Sequence, residues 1–265
     1  MAEPRICVSL EGISVDEMID EANRANIAGA DYVEVRFDKL YLIKPEPTVT
    51  ENEDGEKISK MAPEKERSVK DFKEIDVESS ISSLKEGIPV PVIFTVRPVR
   101  EGGFFAGTEK QRLEILDKAI DSKVSFVDLE LSIAEKDRDK LSAKAIESKC
   151  KIIASFHDSS STPNADEIVE IMRTNYGKGD ILKFCSSVAN QQDSLQIIEA
   201  AHSLKDDDEP HCLMGLGNGG DWCRLHAPIL GQSLVYATML NHFRLSDRGL
   251  INVRDLRDAW ALLEY

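Results

Sequence analysis

The sequence predicts an α/β protein with a single domain, residues 1–265, folded as a closed (β/α)₈ TIM barrel. Eight short apolar runs rich in β-branched residues alternate with amphipathic helical stretches. All but one of the start-to-start intervals are roughly 20 to 36 residues, the length of one strand plus one helix. A chain of 265 residues with 42% hydrophobic content can hold eight such units. An open doubly wound sheet is the alternative, but it usually begins with a GxGxxG turn, which residues 9–13 lack.

The strands and the best-marked helices are predicted from local signals. The predicted strands, in chain order, are Ile6–Leu10, Tyr32–Phe37, Val90–Val96, Phe126–Leu131, Lys151–Phe156, Ile181–Phe184, Cys212–Leu216 and Ser233–Tyr236. Ser14 with Glu17 three residues later forms a capping-box pattern, and Gly29 ends the helix that it begins. Thr108 and the pair Pro163-Asn164 precede two further helices with apolar residues at helical spacing.

The one long interval, between the second and third strands, holds a charged insertion at about residues 44–70. It contains few large apolar residues, and the pair Asp54-Gly55 predicts a small exposed hairpin. We assign no chemistry to it.

Composition narrows the function. The 33 Lys and Arg against 48 Asp and Glu give a net charge of −15, which repels nucleic acid and requires local arginines if the ligand is an anion. No apolar run is long enough for a membrane span or a secretory signal. The five cysteines are an odd number without a CxxC pair, so we expect reduced, buried thiols and a cytoplasmic protein.

Charged residues cluster where a barrel places its chemistry, at the carboxyl ends of the strands. Glu34, Arg36 and Asp38 alternate along the second strand and so share one face. Buried charges are costly unless paired, which indicates either a wet or ligand-filled interior or a structural Glu34–Arg36 ion pair.

The third and fourth strands end in further charges. Arg97 closes the third strand, with Glu101 shortly after it, and Asp128 and Glu130 share a face of the fourth. Each alone is typical of a solvated rim, but together they favour a binding site.

A histidine and a lysine carry the strongest catalytic signal. His157 follows the fifth strand, where an imidazole can transfer protons, although a single histidine there is more often structural. Lys183 lies inside the sixth strand, where burial favours the neutral amine that can attack a ketone and form a Schiff base. The other histidines lack metal-ligand spacing, so no metal site is expected.

A glycine-rich turn, Gly215–Gly220, ends the seventh strand, and Arg224 follows it. Such turns often bind phosphate in barrels. Arg224 suits a carboxylate equally well.

These residues together resemble the type I 3-dehydroquinate dehydratases, metal-free Schiff-base enzymes of the shikimate pathway. The resemblance covers nearly the whole chain. The matching segments are Ile6–Leu10, Tyr32–Asp38, Phe94–Arg97 with Glu101–Gly103, Val127–Glu130, Ser155–Asp158 with Thr162-Pro163, and Asp180–Lys183. One such segment is weak evidence, but six in order at the strand ends are specific.

The resemblance implies a lyase that removes water from 3-dehydroquinate to give 3-dehydroshikimate. Lys183 would form the Schiff base, His157 would be the general acid and base, and Glu101 would orient His157. The implied substrate-binding residues are Ser9, Glu34, Arg36, Arg97, Arg224 and Ser246. The resemblance implies a small-molecule substrate and no cofactor, metal, nucleic acid or membrane partner, and a homodimer is one expectation for a barrel of this size.

Two positions depart from the family, and two other functions stay open. Leu250 stands where the family commonly has a glutamine that closes over the substrate, and Cys223 stands where it often has serine. A class I aldolase or transaldolase would share Lys183 but would need a phosphate site in the glycine-rich turn. A non-catalytic sensor of quinate or shikimate would keep the barrel but would not need both the amine and the imidazole.

Overall fold

The computed structural model describes residues 3–45, 48–51, 57–60, 66–217, 219–240 and 249–265, with only the backbone of 48–51 and 57–60. Ten strands lie in this part of the chain: β1 Arg5–Ser9, β2 Tyr32–Arg36, β3 Thr48–Glu51, β4 Lys57–Lys60, β5 Val92–Thr95, β6 Phe126–Glu130, β7 Lys151–Asp158, β8 Ile181–Ser187, β9 His211–Leu216 and β10 Leu234–Ala237. Eight of them, all except β3 and β4, form one parallel sheet in the order β10-β1-β2-β5-β6-β7-β8-β9. The predicted (β/α)₈ barrel and its eight strands are confirmed.

The barrel closes between β9 and β10 through side chains as well as backbone. The Ser233 amide donates to the His211 carbonyl at 2.9 Å. The Gln232 side chain accepts from the Leu213 amide at 2.6 Å and donates to the Leu213 carbonyl at 3.0 Å. One buried amide side chain therefore takes the place of a ladder pair at this seam.

The helices surround this sheet: α1 Val15–Ile27, α2 Val77–Gly87, α3 Glu109–Asp121, α4 Glu135–Ser148, α5 Ala165–Thr174, α6 Gln191–Leu204, α7 Asp221–Leu225 and α8 Val253–Leu262. Ser14 caps α1 by accepting from the Glu17 amide, as predicted. The Glu17 carboxylate accepts from the Ile13 amide at 3.0 Å, which holds the chain just before the cap. Gly29 follows the helix with φ +94°, a conformation that favours glycine. Of the helices in the described part of the chain, none is long and apolar enough to cross a membrane.

The predicted insertion contains the two remaining strands. β3 and β4 pair antiparallel, with Glu51 opposite Lys57 and Thr48 opposite Lys60. Their connection, with the predicted Asp54-Gly55 turn, lies outside the described residues.

A layer of apolar side chains fills the barrel interior below the carboxyl ends of the strands. Cys7, Ile93 and Ile153 are fully buried in one apolar cluster. Two residues further along each strand, on the same face, come the polar Ser9, Thr95 and Ser155. The interior thus changes from apolar to polar toward the carboxyl ends of the strands.

Candidate active site

A cavity of about 340 Å³ opens at the carboxyl ends of the barrel strands. Eight of the nine predicted site residues line it: Ser9, Glu34, Arg36, Arg97, Glu101, His157, Lys183 and Arg224. The ninth, Ser246, lies outside the described residues. The cavity volume of about 340 Å³ falls in the range of small-molecule binding sites.

Lys183 lies at the centre of this site on β8, with only 4% of its surface exposed. Its Nζ is 3.4 Å from Oδ2 of Asp128 and 3.7 Å from Oε1 of Glu34. The ring centroid of Tyr236 lies 4.1 Å from the same nitrogen. Two carboxylates and an aromatic face therefore surround the amine.

The charge of Lys183 differs from the sequence expectation. Burial on its own would lower the pKa of this amine, and that effect alone predicted a neutral lysine. Asp128 and Glu34 outweigh burial and raise the pKa of Lys183 above its ordinary value. The ligand-free site therefore holds an ammonium ion, which must lose a proton before it can attack a carbonyl carbon.

His157 lies on β7, which extends two residues beyond the predicted end of that strand. Nη1 of Arg97 lies 2.8 Å from its Nδ1, and Oε2 of Glu101 lies 3.1 Å from the same atom. A guanidinium can only donate and a carboxylate can only accept, so these two hydrogen bonds require opposite protonation of Nδ1. Arg97 and Glu101 thus compete for one ring nitrogen and favour different tautomers of the imidazole.

His157 is neutral in this setting. Burial lowers the pKa of the imidazole well below its ordinary value, and the positive charges of Arg97, Lys183 and Arg36 lower it further. A neutral imidazole beside an ammonium ion can accept a proton.

Glu34, beside Lys183, accepts hydrogen bonds from two hydroxyl groups. Its Oε2 accepts from the Ser9 hydroxyl at 2.7 Å, and its Oε1 accepts from the Thr95 hydroxyl at 2.9 Å. Burial would raise the pKa of Glu34, but Lys183, Arg36 and Arg97 lower it below its ordinary value. This side of the cavity is an anionic acceptor suited to hydroxyl groups.

Arg36 forms its ion pair with Asp38. The sequence had left open an ion pair between Arg36 and Glu34 instead. Nε and Nη2 of Arg36 donate to the two oxygens of Asp38 at 2.9 and 2.7 Å. Asp38 does not continue the strand as predicted, because the chain turns into a 3₁₀ helix at Phe37–Tyr41. It also accepts from the Phe104 amide at 3.0 Å, which fixes the pair at the cavity wall.

Two buried carboxylates that were not among the predicted site residues hold Arg97. Its Nη2 donates to Asp128 at 2.9 Å and its Nη1 to Glu130 at 3.1 Å. Asp128 therefore touches both Arg97 and Lys183. Its position two residues before Glu130, on the same face of β6, was the signal in the sequence.

Arg224 spans the seam between β9 and β10. Its Nε donates to the Tyr236 carbonyl at 3.0 Å and its Nη1 to the Gly215 carbonyl at 2.8 Å. The guanidinium is 1% exposed, and among the described residues Nη2 has no hydrogen-bond partner. A buried donor without a partner, in a residue that lines the cavity, favours an anionic ligand group.

In the glycine-rich turn, the described residues 215–217 and 219–220 direct two carbonyls at an arginine. The carbonyls of Gly215 and Gly220 face Arg224, and the Gly220 amide is bonded to the Gly217 carbonyl at 3.0 Å. A Cβ on Gly220 would lie 2.4 Å from the Gly215 oxygen, so packing explains this glycine. The helix that follows, α7, has only five residues and begins with Asp221, whose charge repels an anion.

Leu250 lines the cavity and is 7% exposed, so an apolar side chain occupies this part of its wall. Within the described ranges, no three His, Cys, Asp or Glu side chains are grouped so as to hold a metal ion.

The fold and site define a β/α-barrel protein whose polar cavity is centred on a buried lysine. The type I 3-dehydroquinase family model matches residues 6–265. A 3-dehydroquinate dehydratase of Methanocaldococcus jannaschii is 32% identical over 190 residues, which are 71% of this chain and 83% of the relative. One from Methanopyrus kandleri is 26% identical over 97% of this chain and 99% of its own length. The chain belongs to the type I 3-dehydroquinase family.

Solved structures confirm the fold. The type I 3-dehydroquinate dehydratase of Clostridium difficile, with covalently modified comenic acid, superposes with a TM-score of 0.81 at 24% identity over 99% of this chain and 93% of that one. The 3-dehydroquinate dehydratase of Geobacillus kaustophilus gives 0.78 at 21% identity, over 99% and 92%.

Proposed function

We propose that this protein is a 3-dehydroquinate dehydratase, a hydro-lyase that eliminates water from 3-dehydroquinate to give 3-dehydroshikimate through a Schiff base at Lys183. The observation that carries the proposal is the placement of Lys183 and His157 on neighbouring strands, facing one cavity of about 340 Å³. Family membership and curated relatives with this activity support the same reaction.

The reaction begins when Lys183 loses its proton and attacks the ketone carbon. Loss of water from the carbinolamine gives a protonated iminium, which draws electrons from the adjacent C–H bond. Asp128 and Glu34 favour a cation at Nζ, and they favour the iminium for the same reason.

His157 then acts twice. As a neutral imidazole it removes the proton next to the iminium, leaving an enamine. The electron pair of the enamine expels the hydroxyl group one carbon further on, and the imidazolium supplies the proton with which it leaves as water. Hydrolysis of the new iminium releases the product and restores the amine. Glu101, in contact with Nδ1, orients the ring during both transfers.

The remaining cavity residues bind the substrate in this proposal. Nη2 of Arg224 is suited to the substrate carboxylate, since its other donors are bonded to backbone carbonyls. Glu34 and Ser9 are suited to the ring hydroxyls, and Arg36 and Arg97 supply positive charge. Ser246 stays a prediction from the sequence pattern.

The alternatives have less support. An aldolase or transaldolase acting on sugar phosphates needs a phosphate site, and the turn after β9 presents carbonyls to Arg224. A sensor has no use for an amine and an imidazole together in one cavity.

Steady-state assays with 3-dehydroquinate test the proposal, because the product is a conjugated enone whose absorbance can be followed. We expect turnover by the wild type and none by Lys183→Ala. Lys151→Ala is the matched control, because this exposed lysine lies at the opposite end of the barrel, and it should retain the wild-type rate. A folded wild type without turnover would contradict the dehydratase function, and an active Lys183→Ala variant would contradict the mechanism.

We further propose a single barrel domain with an insertion at about residues 44–70, working as a cytoplasmic homodimer. The five cysteines are buried and unpaired, which supports a reducing compartment. Light scattering after gel filtration tests the dimer, and cell fractionation tests the location. A monomeric mass would overturn the first and a periplasmic or secreted pool the second.

A further inference from the structure

Arg112 lies on α3, outside the barrel wall, and is fully buried. Its Nη1 donates to Oε2 of Glu130 at 2.6 Å and to the Val96 carbonyl at 3.1 Å. It is not part of the cavity lining, so it does not contact a bound ligand. A buried cation in this position acts on the site through its partners.

Glu130 is the first residue that links Arg112 to the site, because it contacts both Arg112 and Arg97. This carboxylate is fully buried, and its second oxygen accepts from Nη1 of Arg97 at 3.1 Å. Burial raises the pKa of Glu130, while Arg97 and Arg112 favour its charged form. Removal of Arg112 therefore favours the neutral carboxyl, which holds Arg97 less firmly.

Glu109 and Arg100 form a second route. Nε and Nη2 of Arg112 donate to the two oxygens of Glu109 at 3.0 and 2.6 Å. Arg100 donates to the same carboxylate at 3.0 and 3.3 Å. Arg100 immediately precedes Glu101, so this route ends at the second residue that contacts Nδ1 of His157.

We propose that Arg112 is a positioning residue for the dehydration: it fixes Arg97 and Glu101 relative to each other, and through them the ring of His157. The proposal rests on the proposed function, since it assigns a support to the general acid and base. Arg97 and Glu101 approach one nitrogen atom at 2.8 and 3.1 Å, so a small displacement of either changes which of them bonds the imidazole.

Arg112→Met tests the role. We expect kcat to fall at least tenfold, with a smaller rise in KM for 3-dehydroquinate, because Arg112 acts on the bound substrate only through Arg97. The acid limb of the kcat profile should move to higher pH, because Arg97 would be held less firmly beside the imidazole and would lower the pKa of His157 less. The charged groups that face His157 are Arg97, Glu101, Lys183 and Arg36, and only the first two are anchored through Arg112. Arg112→Lys keeps a cation and should recover part of kcat.

A matched control separates this role from loss of any buried arginine. Arg138→Met changes a buried arginine on α4 that takes no part in these contacts, and it should leave kcat and its pH profile unchanged. A folded Arg112→Met variant with wild-type kcat and pH profile would overturn the proposal.

The double variant Arg112→Met with Glu130→Leu distinguishes positioning from stability. It removes both charges, and apolar replacement of a buried ion pair often restores stability. Arg97 keeps its contact with Asp128 but loses the one with Glu130, so we expect the thermal midpoint to recover while kcat stays low. Recovery of both would show a purely structural role and overturn the proposal.

Trapping with borohydride keeps the two proposals distinguishable. Lys183 itself is unchanged in these variants, so the substrate should still be trapped on it by reduction. Trapping with slow dehydration supports the positioning role. Absence of both trapping and turnover in the wild type would contradict the proposed function instead.

Discussion

Nζ of Lys183 lies 4.1 Å from the ring centroid of Tyr236, the last residue of the predicted eighth barrel strand, which lies within β10. An aromatic face attracts a cation at this distance. The iminium proposed for the reaction carries its charge on the same nitrogen, so the ring stabilises the intermediate as well as the ammonium ion.

Tyr236→Leu should therefore slow the reaction by at most about 30-fold, the factor for a cation–π contact of about 2 kcal/mol, because the ring stabilises the ammonium ion of the free site as well. Tyr236→Phe should stay near the wild-type rate, because the Tyr236 hydroxyl has no hydrogen-bond partner among the described residues. The rate of borohydride trapping and kcat are the two measurements. Equal values for the leucine and phenylalanine variants would argue against the aromatic contact.

His157→Asn should lower kcat by about 10²- to 10⁴-fold, the usual contribution of a general acid and base. Schiff-base formation needs the amine more than the imidazole, so the substrate should still be trapped on Lys183. Single-turnover kinetics with mass spectrometry separate the two steps. A variant with normal turnover would remove His157 from the mechanism.

The activity should persist at mildly acidic pH. Because burial and three neighbouring cations lower the pKa of His157 well below 6.5, the imidazole stays neutral at pH 6.5 and becomes protonated only further down. The acid limb of kcat/KM, which reports the free enzyme, should therefore fall below pH 6.5. A pH profile with its limb at or above 6.5 would show that the imidazole titrates as a free histidine.

Asp128→Asn should lower the pKa of Lys183, because this carboxylate is the strongest of the charges that raise it. Glu34→Gln should have the same sign with a smaller effect. NMR titration of the ¹³C-methylated amine, with Lys183→Ala to assign the signal, measures both shifts. A raised or unchanged pKa in Asp128→Asn would contradict the charge balance described for this site.

The fold was predictable because it depends on local signals. Apolar β-branched runs define the eight strands, and polar residues at their ends locate the cavity. Strand ends were less certain: β7 and β8 extend past Phe156 and Phe184, because their later polar residues still pair along the sheet. The hydrophobic pattern therefore stops before the hydrogen-bonded ladder does.

The charge states and supporting residues could not be predicted in this way. Burial alone suggested a neutral Lys183, whereas its charge depends on Asp128 and Glu34, which approach it only in the folded barrel. Arg112 reads as an ordinary helical residue, and only the packing of α3 brings it against Glu130. Tyr236 gave no separate signal, because only the folded barrel brings its ring against Lys183.

The most direct test of the central claim is mass spectrometry after incubation with 3-dehydroquinate and borohydride. Trypsin does not cleave after an alkylated lysine, so an adduct on Lys183 would join residues 179–183 and 184–205 into one peptide of increased mass. We predict that adduct in the wild type and in Lys151→Ala, and its absence in Lys183→Ala. A folded wild type that turns over 3-dehydroquinate and yields no adduct at Lys183 would contradict the Schiff-base mechanism.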